Sequence, residues 1–229
     1  MIGSPRVHHR VADSTNERAR ELAARGAPHG TVVTADEQTA GRGRQGRAWL
    51  APAGDAVLMS VVLRDLDERF PLLPLAAAVA VAETCEALAP VRCEIKWPND
   101  VWIERRKVAG ILVEGRPAEG WAVLGIGLNV RAAPQDLGGS AASLSPGLTV
   151  QSALHAVLGA LALWLGRGAE EVLPAWRARD ALLGARVRWA DSAGTARGID
   201  DSGSLLVETD AGLVALGAGE VHLERPPEG

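Results

Sequence analysis

The sequence predicts an α+β protein whose C-terminal part is all β, and three observations carry this. Up to Leu183, stretches of helical length alternate with short apolar and β-branched runs. From Ala185 onward the texture changes to short strands separated by turn signals such as Asp200-Asp201-Ser202-Gly203 and Asp210-Ala211-Gly212. Finally, 229 residues suffice for one sizeable domain plus a small appendage, and such a chain buries roughly 70–75% of its unfolded surface without a disulfide or metal. The expected division is a mixed helix-and-strand region over 1–183 and a barrel-like β domain over 184–229.

The elements follow in order. Ser14-Thr15-Asn16-Glu17 predicts a helix start, with Ser14 as N-cap and Glu17 completing a capping box; the helix runs to about Ala24 and Gly26 ends it. Residues 31–35 are β-branched and predict a strand. The continuous apolar run 57–63 predicts a buried strand, and 72–88 a helix with Pro74 in its first turn. Three strands follow at 92–97, 101–104 and 108–114, joined by a Pro98-Asn99-Asp100 turn and a hairpin turn over 104–107. A strand over 121–130 is broken by Gly125 and Gly127, where another group can approach the backbone closely. Residues 131–148 are rich in Pro, Gly and Ser and predict a long loop; helices over 150–165 and 169–183 follow. The C-terminal strands are expected at 185–189, 194–199, 204–208, 212–216 and 220–223.

Composition excludes several classes. With 47% hydrophobic and 23% charged residues the chain is not disordered. Two cysteines without a CxxC partner exclude a disulfide framework and a four-ligand zinc site, and fit a reducing cytoplasmic compartment. The first twenty residues contain no apolar segment of a secretory signal. The most apolar stretch, 72–82, is too short for a bilayer, and a net charge of -4 does not invite nucleic acid. No membrane and no nucleic-acid partner is therefore expected.

Of 24 cationic side chains only Lys96 and Lys107 are lysines; the rest are arginines. A chain that uses Arg almost everywhere has kept a compact ammonium on a flexible stem at two positions eleven residues apart. That marks both for a task a planar guanidinium does not perform.

Four clusters could carry chemistry. Gly41-Arg42-Gly43-Arg44-Gln45-Gly46-Arg47 has three Gly, three Arg and no acid, an anion trap in an acidic protein. It is not a Walker A loop, because no Gly-Lys-Ser/Thr follows; a flexible solvated loop or an RGG-like RNA-binding stretch is the alternative. Lys96-Trp97-Pro98-Asn99-Asp100 gathers an ammonium, an amide and a carboxylate at a turn, and Asp100 could bind Mg²⁺ through oxygen. Lys107-Val108-Ala109-Gly110-Ile111-Leu112-Val113-Glu114 starts a strand with its lysine. Gly125-Ile126-Gly127-Leu128-Asn129-Val130 is the fourth.

Together, and with Ser14-Thr15-Asn16 and Gln38 ahead of them, these elements make the sequence resemble the biotin protein ligases over about residues 10–225. The resemblance implies a mixed, mostly antiparallel sheet flanked by helices, as in class II tRNA synthetase-like catalytic domains, plus a small C-terminal SH3-like β-barrel. It implies that biotin and ATP are the substrates, with Mg²⁺, and that a biotin carboxyl carrier domain of acyl-CoA carboxylases is the partner. It implies catalytic roles for Lys107 and Arg44. Biotin would be held by Ser14, Thr15, Asn16, Gln38, Gly41, Arg42, Gly43, Arg44, Lys107 and Gly110. The nucleotide would be held by Arg42, Arg44, Arg47, Trp49, Lys96, Asn99, Asp100 and Asn129, with Asp100 also the candidate metal ligand. Glu114 has no implied role. Some family members carry an N-terminal helix-turn-helix that represses biotin genes. Here the motifs begin by Ser14, so a ligase without repressor function is expected. The rivals are a lipoate or octanoate ligase on the same fold, a nucleic-acid binder using the Arg loop, and a non-catalytic biotin sensor.

Overall fold

The computed structural model describes residues 1–64, 66–67, 70–134, 139–217, 219 and 221–224. A seven-stranded sheet is its centre, in the order β1-β2-β3-β7-β6-β5-β4. Its strands are β1 (Arg6–Ala12), β2 (Val32–Gln38), β3 (Ala56–Arg64), β4 (Cys93–Lys96), β5 (Asp100–Ile103), β6 (Arg106–Arg116) and β7 (Trp121–Asn129). Only β1 and β2 run parallel; the other ladders are antiparallel. Helix α1 (Thr15–Ala24) covers one face through Ala19 and Ala23, packed against Val33, Val62 and Val123. Helices α2 (Leu73–Leu88), α3 (Val150–Trp164) and α4 (Ala169–Arg177) lie in the core cluster of the other face, with Met59, Val61, Leu124 and Ile126. Because β3 is covered on both faces, its residues are apolar without alternation, which is why 57–63 reads as one continuous run.

With the preceding turn, α2 is longer than the stretch singled out above: Phe70–Leu88 has the length and composition of a membrane span. It is a core helix, with Leu75 through Ala82 all buried.

A five-stranded antiparallel sheet follows, in the order β11-β10-β9-β8-β12. It comprises β8 (Arg186–Trp189), β9 (Ser192–Ile199), β10 (Leu205–Thr209), β11 (Gly212–Leu216) and β12 (His222–Leu223). Residue 220 of the expected last strand lies outside the described residues. Val187, Ala196, Leu205 and Val207 of this sheet belong to the same core cluster as α2. Trp97 Nε1 donates to Gly203 O at 3.0 Å and Arg177 to Ile199 O at 2.9 Å across the junction.

Four expectations need correction. Strand β1 was not anticipated, because RVHHRVA is a largely exposed edge strand with no apolar run. Ser14 occupies the N-cap position of α1 but makes no side-chain cap bond, so no capping box forms. Glu17 instead pairs with Arg20 and Arg42, at 3.3 and 2.9 Å. Helix α4 ends at Arg177 rather than at 183. Residues beyond it leave the helix to pair with β4: Ile95 N–H donates to Arg179 O and Ala181 N–H to Ile95 O, satisfying a sheet edge that a longer helix would leave bare. The β5–β6 hairpin turns on two residues only, Glu104 and Arg105, both at positive φ (49° and 60°), the geometry a two-residue turn demands.

Candidate active site

The sheet face beneath α1 opens into a cleft. Of the residues singled out from sequence, Ser14, Thr15, Asn16, Gln38, Arg42, Gly43, Arg44, Arg47, Trp49, Asn99, Lys107 and Gly110 line it. Gly41 borders the neighbouring groove under the Arg loop. Lys96, Asp100 and Asn129 do not line the cleft, although strand register brings two of them beside it. Lys96 is opposite Asp100, Asp100 opposite Gly110, and Gly110 opposite Gly127, so these four share the cleft face in one row.

One end of the cleft wall is a hydrogen-bonded polar cluster at the start of α1. The Thr15 backbone N–H and hydroxyl both donate to Gln38 Oε1, at 2.7 and 3.1 Å. Ser60 Oγ lies 2.8 Å from Thr15 Oγ1 and 2.6 Å from Asn16 Oδ1. Asn16 Nδ2 donates to Glu114 Oε2 at 2.8 Å. Ser14, Thr15, Asn16 and Ser60 are all buried. Asn16 fits because position 125 is glycine: a Cβ there would stand 2.0 Å from Asn16 Oδ1.

The second glycine of that strand serves a different group. A Cβ at Gly127 would stand 2.3 Å from the Trp49 indole, and one at Gly110 3.0 Å. The paired glycines Gly110 and Gly127 thus form a flat seat for Trp49. Trp49 Nε1 and Asn129 Oδ1 are both buried with no hydrogen-bond partner among the described residues. Trp49 also lines the cleft, so its orphaned N–H is within reach of a partner from outside the chain.

Lys107 is aimed by a β-bulge. Val101 pairs with Ala109, but Trp102 pairs with Lys107, so one residue, Val108, is extra on β6. The shift puts Val108 and Ala109 both in the core, fully buried, and turns Lys107 to the cleft face. There its Nζ meets Asp100 Oδ1 at 2.7 Å and lies 5.4 Å from the Trp49 ring centroid. Its partner is the more enclosed, with the Asp100 side chain 15% exposed against 33% for Lys107. The other lysine, Lys96, lies over the Trp102 ring at 5.6 Å.

The Arg loop closes the cleft. Arg44 Nη2 donates to Gly219 O of the C-terminal region at 3.0 Å, and its Nη1 lies 3.5 Å from Asn99 Oδ1. Arg42 is held by Glu17. The segment after residue 138 returns to the same place: Lys107 N–H donates to Ser140 O, Ala142 N–H to Lys107 O, and Asn129 Nδ2 to Ala142 O. Residues 135–138 of the expected long loop lie outside the described residues.

The sequence matches the Biotin/lipoate A/B protein ligase family over residues 8–130, and the Biotin protein ligase C terminal domain over 187–223. It is 36% identical to the bifunctional ligase/repressor BirA of Bacillus subtilis, over 97% of this chain and 75% of that protein. It is 38% identical to the biotin–[acetyl-CoA-carboxylase] ligase of Paracoccus denitrificans, over 91% of this chain and 96% of that one. The chain belongs to the biotin protein ligase family. Its structure is similar to that of the Aquifex aeolicus biotin protein ligase solved in complex with biotin and ATP, with a TM-score of 0.81 at 28% identity, covering 97% of this chain and all of that one.

Sequence reasoning missed two residues that this ligase fold places at the site. Ser60 is the single hydroxyl in the apolar strand AVLMSVVLR; a polar group in a strand buried on both faces must have a partner, and that signal was available. Glu114 had been seen but given nothing to do. Its hydrogen bond to Asn16 spans 98 residues of sequence, and no local pattern announces it.

Proposed function

We propose that this protein activates biotin with ATP and transfers it to a lysine of a biotin carboxyl carrier domain. The observation that carries the reading is the Lys107–Asp100 pair, at 2.7 Å, set at a cleft that also contains Arg42, Arg44 and Arg47. The first step brings a carboxylate up to a polyphosphate. A biotin carboxylate oxygen bonds to the α-phosphorus, the bond from that phosphorus to the bridging oxygen breaks, and pyrophosphate leaves. Two anions repel, so fixed positive charge and positioning supply most of the catalysis. Lys107 Nζ bridges the carboxylate and the α-phosphate, where negative charge builds. Asp100 holds that ammonium in place at 2.7 Å.

Ser14, Thr15, Asn16 and Gln38 offer the donors and acceptors that a cyclic urea needs; Gly43 and Gly110 line the same cleft, and Gly41 admits the Trp49 carbonyl that anchors the loop. Arg42, Arg44 and Arg47 face the phosphates, and Arg44 is the second catalytic cation. Trp49, with its orphaned N–H, and Asn129, with its orphaned carbonyl, are nucleotide contacts, together with Asn99 and Lys96. Magnesium, where bound with ATP, would neutralise charge on the phosphates, and Asp100 is the carboxylate that would hold it. In the second step the carrier lysine amine attacks the anhydride carbonyl, the carbon–oxygen bond breaks, and AMP leaves with the amine proton lost to solvent.

On this reading residues 1–183 are the catalytic region. The described residues from 184 onward form a C-terminal β domain whose contact with Arg44 helps close the loop over the adenylate. The protein works in the cytoplasm, in keeping with Cys85 and Cys93, which are free and buried. Hydrogen bonding to Cys93 and burial push the Cys85 thiol well up, so it is an inert core thiol. The test is pyrophosphate release with ATP and either biotin or lipoate, followed by mass spectrometry of a carrier domain. Turnover with biotin and a biotinyl mass shift are expected; turnover with lipoate alone overturns the reading.

A further inference from the structure

The geometry points to Glu114 as the positioning residue that sets ring selectivity, an inference that rests on the biotin reading above. An amide side chain has a donor end and an acceptor end and can present either one. A carboxylate can only accept. Glu114 Oε2 takes the Asn16 Nδ2 end at 2.8 Å, and the Ser60 hydroxyl sits at the Oδ1 end at 2.6 Å. The Ser60 hydroxyl can donate or accept and tolerates either end of the amide, so Glu114 alone enforces the orientation that leaves the carbonyl oxygen of Asn16 as the acceptor at the cleft wall. That oxygen has a second lone pair to offer. A cyclic urea has ring N–H groups to give it, whereas the dithiolane ring of lipoate has none. Taking water from that second lone pair without supplying a donor costs more than a missing contact, so the fixed amide discriminates against a ring without N–H.

The same carboxylate reaches the Arg loop. Glu114 Oε1 lies 3.7 Å from Arg20 and 3.9 Å from Arg42, and Glu17 Oε2 lies 3.3 and 2.9 Å from the same two guanidiniums. Two carboxylates and two guanidiniums thus form one compensated group. Glu114 is placed to serve both ends by register: with Gly110 and Leu112 it occupies alternate positions of β6 on the cleft face, and Leu112 is opposite the Gly125 that admits Asn16.

Glu114→Ala is expected to raise the biotin KM about tenfold; Arg42 keeps its closer partner Glu17, at 2.9 Å against 3.9 Å for Glu114, so kcat and the ATP KM change much less. The biotin-over-lipoate preference falls by a similar factor. On an Asn16→Ala background the same substitution adds nothing to the biotin KM, because the effect travels through that amide. Glu114→Gln, which can still accept from Asn16, keeps the biotin KM within about threefold of wild type. Melting midpoints report whether each variant folds, and where the alanine variant does not, the glutamine variant decides: a tenfold rise in its biotin KM overturns the inference. So does a folded Glu114→Ala with wild-type biotin KM, or one additive with Asn16→Ala. A wild-type chain inert towards biotin overturns the ligase reading and this inference with it; an active wild type with indifferent variants overturns this inference alone.

Discussion

Lys107 Nζ and Asp100 Oδ1 stand 2.7 Å apart on adjacent strands, and they meet because β6 carries one extra residue, Val108, between the two halves of its pairing with β5. Without that bulge, Lys107 would share the core-facing side of β6 and its ammonium would be buried without water or partner. The bulge thus converts a strand start into a positioned cation. Lys107→Arg is expected to lower pyrophosphate release on the order of 10²–10³-fold, because a broad planar donor misses the point where charge develops. Asp100→Asn keeps the shape but loosens the ammonium, and a fall of about tenfold is expected. Single-turnover adenylation rates check both; near-normal adenylation by the arginine variant would show that a lysine is not needed there.

The two cleft glycines give separable outcomes. Gly125→Ala drives a methyl group into Asn16, 2.0 Å from its oxygen, and should raise the biotin KM by about tenfold or more while sparing ATP. Gly127→Ala displaces the Trp49 indole instead and should act on the ATP KM by a similar factor. Initial rates with each substrate varied in turn distinguish the two patterns.

Arg42 and Arg47 are exposed and Arg44 is half-buried on a short loop that is tied down by Glu17 and by Gly219 O. Ligand binding adds contacts to the same loop, so saturating biotin should slow cleavage at these three bonds relative to cleavage elsewhere. Peptide mapping of a digestion time course reads this directly; an unchanged rate would count against an ordering loop.

Asp180 offers a stability test away from the cleft. Desolvation by burial pushes its carboxyl above the ordinary 3.8, against the opposing hydrogen bonds from the Leu182 and Leu183 N–H groups. In the window between the ordinary value and the raised one the folded protein holds more protons than the unfolded chain, so stability falls as pH rises through it. Asp180→Asn cannot ionise and should lose that part of the slope. Urea midpoints measured from pH 4 to pH 7 in both proteins report the difference, and parallel curves would refute it.

Much of the site was legible in the chain because its parts are local. Three Gly and three Arg in seven residues announce an anion cradle whatever surrounds them. A scarcity of lysine makes Lys107 conspicuous, and Gly125 and Gly127 in an apolar strand signal close approach to the backbone. The strand β1 was illegible for the opposite reason: an exposed edge carries no buried face to write into the sequence. Helix α4 was read too long because the competitor for residues 179–181 is β4, some eighty residues earlier.

By itself, then, the sequence determined the order of the elements after β1, the loop chemistry and the family, all properties of neighbours along the chain. Only the tertiary structure decided which atoms meet: Lys107 with Asp100 through a bulge, Asn16 with Glu114 over Gly125, and Trp49 on Gly110 and Gly127. The physical reason is strand register. A shift of one residue turns every side chain of a strand to the other face, and register is set by packing across the sheet rather than by any short stretch of chain.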